Sequence, residues 1–88
     1  MVSREILKKK TGTVTLFAFA EGQGLSEHST PHDALVQVLD GTVEIKIGGT
    51  PHMVNGGEGL LLPANIPHAL LAVTAFKMLL IMIREPAT

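Results

Sequence analysis

The chain has 88 residues, no cysteine and a formal net charge of -1. That length suits one small domain (1–88) whose core is marginal without self-association. Without cysteine there is no disulfide framework and no thiolate chemistry, and near-neutral charge offers nothing to nucleic acid or to an anionic membrane. The longest apolar zone, residues 69–83, is broken by Thr74 and Lys77 and falls short of the roughly 20 residues of a spanning helix. The opening MVSREILKKK lacks the apolar core of a signal peptide. The expected setting is cytoplasmic, away from membranes.

Taken in order, residues 3–9 alternate weakly and read as an edge strand, with Lys8, Lys9 and Lys10 as a solvated guard against strand addition. Residues 13–20, TVTLFAFA, are rich in β-branched and aromatic side chains and predict a strand. A turn follows at 21–24. Asp40-Gly41 between two alternating runs predicts a two-residue hairpin, pairing Leu39 with Thr42, Gln37 with Glu44 and Leu35 with Lys46. The opposite face then carries Ala34, Val36, Val38, Val43, Ile45 and Ile47, all apolar, and so faces the interior.

Gly48-Gly49 predicts a second turn, 51–54 a short strand and Asn55-Gly56-Gly57 a third turn. His52 on that short strand reads as an exposed polar residue at the rim. Residues 60–62 form a short buried strand closed by Pro63. Two more strands, 69–73 and 76–83, flank Thr74-Ala75. A single helix over 69–83 competes, since leucine, alanine and methionine favour helix, but the β-rich surroundings decide for strands. Both faces of the last strand are apolar, so cover on both sides is expected. The fold class is all-β, a sandwich or barrel of short antiparallel strands.

The pattern of glycine, proline and histidine now carries a resemblance. Gly22, His28 and Gly41 fall in register on G-x5-H-x-H-x3-E-x6-G, and Gly57, Pro63 and His68 on G-x5-P-x-G-x2-H-x3-N. The chain thus resembles a cupin, a small single-domain bacterial one of the RmlC-like kind, over residues 22–72. The resemblance implies a jelly-roll barrel, or double-stranded β-helix. It also implies a metal site in which cupins use both histidines and the glutamate of the first motif and the histidine of the second. Here Thr30 and Ala34 stand at two of those four positions, leaving His28 and His68, while Asn65 and Ala72 replace the glycine and asparagine of the second motif.

A divalent transition metal such as zinc, iron, manganese or nickel needs about three convergent protein donors. Inward parity continued back from Ala34 places His32, Thr30 and His28 on one face, so His32 offers a third donor, though roughly 6–7 Å further along the strand than Thr30. A three-histidine metal site (His28, His32, His68), a metal-free pocket in which His28 and His68 bond hydrogen or move protons, and purely structural histidines all stay open. Gly56-Gly57-Glu58-Gly59 lacks the lysine of a P-loop, and no G-x-S-x-G elbow supports a serine nucleophile.

The expected pocket is lined by Ala34, Val36, Val38, Val43, Ile45 and Leu70, with His28, Thr30, His32 and His68 toward one mouth. No lysine or arginine enters it, which suits a small, mostly apolar ligand. The leading reading is a small-molecule-binding cupin. One alternative is a metal-dependent enzyme of the dioxygenase, isomerase or decarboxylase type using His28, His32 and His68, and a second is a dimeric scaffold with a vestigial pocket. A homodimer is expected from the two-sided apolar last strand, outward Leu35 and Leu39, and the small core.

Overall fold

The structure, a computed structural model, describes residues 1–85. It consists of nine strands: β1 (Val2–Lys9), β2 (Gly12–Phe19), β3 (Gly24–His28), β4 (Asp33–Asp40), β5 (Thr42–Ile47), β6 (Thr50–Asn55), β7 (Gly59–Leu62), β8 (His68–Ala72) and β9 (Phe76–Ile83). They form two antiparallel sheets, a five-stranded one in the order β1-β2-β9-β4-β7 and a four-stranded one in the order β3-β8-β5-β6. Among the described residues no helix is long and apolar enough to cross a membrane, and the competing helix over 69–83 gives way to β8 and β9.

Alternation sets the core. Val36 and Val38 of β4, Val43 and Ile45 of β5 and Met78 of β9 are fully buried between the sheets, with Phe76 beside them. Burial of this kind stabilises by roughly 1.5–3 kcal/mol per large side chain. Phe19 and Phe76, partners in the β2–β9 register, stack with centroids 4.6 Å apart and planes within 3°. His52 is half-buried on β6 opposite Ile45 rather than exposed.

The hairpin predicted at Asp40-Gly41 does not form. β4 lies in one sheet and β5 in the other, so Leu39, Gln37 and Leu35 do not pair with Thr42, Glu44 and Lys46; Leu35 and Gln37 pair across to β7 and β9 instead. Gly41 is a corner at which the chain changes sheets. The inward set is nonetheless the predicted one, because each strand keeps its own alternation whichever neighbour it pairs with. The two-residue hairpin sits at Gly48-Gly49, where both residues take positive φ (55° and 83°) between the pair Ile47↔Thr50, as a turn matched to strand twist requires.

A second corner, between β8 and β9, packs on the first. Thr42 Nα–H donates to Thr74 Oγ1 (3.0 Å), and the Val73 amide donates to the Thr42 carbonyl (3.1 Å). From the other side the Gly56 amide donates to the Gly41 carbonyl at 2.9 Å. Gly41 has φ +85°, and a Cβ there would lie 2.1 Å from the Ala75 carbonyl oxygen and 2.7 Å from Phe76 Cβ. The end of the sandwich at Gly41 is therefore closed, and strands running away from it open at the other end.

This separates two glycines with the same backbone sign. Gly49 has φ +83° and nothing within 4 Å of a built Cβ, so Gly49→Ala should cost about 1–2 kcal/mol from the left-handed backbone alone. Gly41→Ala adds overlap with backbone that cannot retreat and should cost on the order of 3 kcal/mol or more. Chemical denaturation of the two variants checks the difference, and equal losses would contradict the corner packing.

Candidate functional site

The open end holds the histidines. β3 pairs with β8 through Gly24↔Leu71 and Leu25↔Leu70, then through His28↔His68. Three residues advance on β3 while two advance on β8, so Ser26 and Glu27 span a bulge. On an unbroken strand His28 would face away from Leu25; the extra residue reverses the alternation and turns it inward, beside His68.

The two imidazoles meet with Nε2 atoms 3.2 Å apart, ring centroids 4.4 Å apart and planes at 69°. On the far side of each ring, His28 Nδ1 lies 2.8 Å from the Ser26 carbonyl and His68 Nδ1 lies 3.3 Å from the Ile66 carbonyl. A carbonyl only accepts, so each bond places the ring proton on Nδ1 and leaves Nε2 a bare acceptor. Two neutral rings held in this way turn lone pairs on each other. Three things relieve that: a proton shared between the Nε2 atoms, His68 giving up its longer bond to donate to His28, or a donor on a third molecule.

Around this pair the cleft is apolar. Leu25 and Leu70 come from the four-stranded sheet, and Ala34, Val36, Leu62, Met78, Leu80 and Met82 from the five-stranded sheet, with Thr30 at the lip. The space open to the centre of a water-sized sphere is about 40 Å³, room for a few waters or one slim group. Met78 and Met82 are unbranched and can shift to widen it.

Six of the pocket residues expected from sequence come together here: His28, Thr30, Ala34, Val36, His68 and Leu70. Val38, Val43 and Ile45 are fully buried in the core and do not line the cleft. His32 is a clearer departure. Residues 29–32 leave the sheet, and the chain resumes in the other sheet at Asp33, so His28 and His32 share no strand and no common parity. His32 lies instead with Pro31, Asp33, Ala64 and Asn65 in a separate surface depression. Leu25, Leu62, Met78, Leu80 and Met82 were missed because their place in the cleft depends on which strands become neighbours, which periodicity within a strand does not carry.

The lip is held by backbone. Asn65 takes a positive φ of 66°, and its amide donates to the Thr30 carbonyl at 2.7 Å. Asparagine tolerates this region better than most residues, which explains its standing where the family pattern has glycine. Asp33 Oδ1 accepts from the Ala64 amide at 2.8 Å. These two bonds tie the segment after β3 to the segment before β8, next to the histidine pair.

The donors present do not fit a resident metal ion. A spacing of 3.2 Å would let both Nε2 atoms reach one ion, but the other two family positions supply nothing. Thr30 Oγ1 donates to the His32 carbonyl and accepts weakly from the His32 amide, and Ala34 has no donor atom. Among the described residues no group of three or more histidine, cysteine, aspartate or glutamate side chains is placed to hold an ion.

Comparison with known proteins agrees with this architecture. Residues 15–84 match the cupin domain family. A conserved protein of unknown function from Streptococcus pyogenes superposes with a TM-score of 0.93 at 40% identity, over 98% of this chain and 75% of that one. A cupin 2 conserved barrel domain protein from Leptotrichia buccalis gives 0.91 at 43% identity over 94% of this chain, which spans only 40% of that protein. A cupin superfamily protein from Desulfitobacterium hafniense gives 0.91 at 27% identity over 96% of this chain and 77% of that one. No functionally curated protein matches the chain. The chain belongs to the cupin family.

His68 is 7% exposed. Burial, and then the neighbouring His28, hold its pKa below the ordinary value, against a smaller upward pull from the Ile66 carbonyl. The unfolded chain titrates there near about 6.5, so below that pH the unfolded state binds more protons than the folded one. Stability from the neutral His68 is intact above about pH 6.5 and is lost as pH falls through the folded value. Calorimetry between about pH 7.5 and about pH 5.5 should show the melting temperature falling, and falling less in His68→Gln. Parallel curves for the two proteins would contradict this assignment.

Proposed function

We propose that this cupin binds a small, mostly apolar molecule carrying one hydrogen-bond donor, such as a hydroxyl or an N–H, in the cleft between its sheets. The observation that carries the reading is the pair of Nε2 acceptors converging at the mouth of an otherwise apolar space. A ligand donor placed between them satisfies both nitrogens, and its hydrocarbon part replaces water along Leu25, Leu70, Leu80 and Met82. No lysine or arginine lines the cleft, so nothing there favours an anionic ligand. The His68 imidazole can also take up and return a proton, below the usual imidazole range because it is buried.

The metal-dependent alternative loses its third donor with His32, and no step through an ion is assigned. A scaffold with a vestigial pocket is the outcome that a failed binding test would leave.

The test is a melting-temperature screen of small phenols, alcohols and amides set against their hydrocarbon counterparts. A hundredfold excess over Kd stabilises by about 2.7 kcal/mol, a shift on the order of 10 °C for a domain of this size. The donor-bearing compounds should give a saturable rise that His28→Ala and His68→Ala both lose. Equal rises for the hydrocarbons would remove the histidines from recognition, and no rise with any compound would overturn the binding reading.

A further inference from the structure

We propose that the cleft also catalyses keto–enol proton transfer on small uncharged ketones and aldehydes, with His28 as the base at the α-carbon and His68 as the hydrogen-bond donor to the carbonyl oxygen. This deepens the ligand-binding reading and rests on it.

Distance supplies the first argument. The two Nε2 atoms are 3.2 Å apart. In a ketone the carbonyl oxygen and the α-carbon are about 2.4 Å apart, from standard C–C and C=O lengths at a trigonal carbon. With the oxygen about 2.9 Å from one nitrogen, the α-carbon comes about 3–3.5 Å from the other, the spacing of a near-attack arrangement. The pair therefore matches two neighbouring positions of one carbonyl compound.

Local structure divides the two rings into base and donor. The Ser26 carbonyl, supplied by the bulge in β3, lies 2.8 Å from His28 Nδ1 and keeps the proton there. His28 Nε2 is left with its lone pair, and the same carbonyl holds the Nδ1 proton more strongly once Nε2 has gained a proton and the ring is charged. His68 is held more loosely, with Nδ1 at 3.3 Å from the Ile66 carbonyl. A ligand carbonyl oxygen beside Nε2 gives His68 a competing acceptor and draws its ring proton to that nitrogen. His68 is buried, and burial holds its pKa below the ordinary value, so it donates as a neutral imidazole. His28 is exposed at the mouth and can exchange its proton with water.

The step balances without a co-reactant. His28 Nε2 takes the α-proton, the C–H electron pair becomes the new C=C bond, and the carbonyl oxygen becomes an enolate held by His68 Nε2–H. His28 then returns the proton to that oxygen, giving the enol, or to the carbon, restoring the ketone. Nothing is oxidised or reduced. The enol carries the hydroxyl donor that the two acceptor nitrogens favour. Leu25, Leu70, Leu80 and Met82 surround the pair and keep water from the enolate oxygen, where a fixed donor is worth most. None of the described residues lining the cleft is lysine, so the carbonyl is activated by a hydrogen bond and not as an imine, and nothing there attracts a keto acid. The space of about 40 Å³ admits a slim carbonyl group.

The test is exchange of α-protons for deuterium in butanone and cyclopentanone, followed by proton NMR in D2O buffer. Wild-type protein should accelerate exchange over buffer, saturably in ketone, and His28→Ala should lower that acceleration about a hundredfold or more. Glutamine can donate but is no base, so His28→Gln should be as slow as His28→Ala, while His68→Gln should stay well above His68→Ala. Circular dichroism checks that each variant is folded. His32→Ala, in the separate depression, should match wild type. Exchange no faster than buffer with either ketone, exchange that His32→Ala slows as much as His28→Ala does, or glutamine acting alike at both positions would each overturn the proposal. If exchange is absent while phenols still raise the melting temperature, this inference alone fails; if neither is seen, the binding reading fails with it.

Discussion

The constraint on which this barrel depends is the contact between its two corners at Gly41. β4 ends and β5 begins across a single residue, yet the strands belong to different sheets. β8 and β9 make the same change of sheet, and their corner at Ala75 and Phe76 lies where a Cβ on Gly41 would be. Only glycine satisfies both the positive φ and the close approach. The Thr42 and Gly56 amides and the Thr74 hydroxyl then lock that end, and stacked Phe19 and Phe76 fill it. With one end sealed, an internal space can open only at the other.

At the open end a second local device decides the chemistry. The bulge at Ser26 and Glu27 turns His28 inward to meet His68, and two backbone carbonyls hold the outer ring nitrogens so that the inner ones converge as acceptors. In a site with a glutamate and another histidine such a pair would be half of a ligand set. Here Thr30 has turned its hydroxyl to the backbone and Ala34 presents a methyl group. What remains is a pair of imidazoles whose Nε2 atoms converge at an apolar cleft, a chemistry of hydrogen bonding and burial.

The strands and their inward faces were legible in the sequence because alternation is local. Val36, Val38, Val43 and Ile45 point inward whichever strands they pair with, so the core followed even though the hairpin at Asp40-Gly41 did not. The dipeptide signals a tight reversal, and a sheet-changing corner and a hairpin both need one; the difference lies in Ala75 and Phe76, far along the chain. His28 illustrates the same limit. Its inward direction was expected from unbroken parity with Ala34, but the two lie in different sheets and a bulge sets the direction. That error placed His32 in the site, where the structure puts it in a separate depression. The family spacing of His28 and His68 gave the pair directly, since motif positions encode long-range neighbours that periodicity does not.

The central claim is that the histidine pair works without a resident metal. The most direct measurement is elemental analysis of untagged protein purified without chelator, then incubated with iron, zinc, manganese or nickel and desalted. The account predicts far less than one ion per chain and a melting temperature that chelator leaves unchanged. Near-stoichiometric metal, lost together in His28→Ala and His68→Ala, would contradict it.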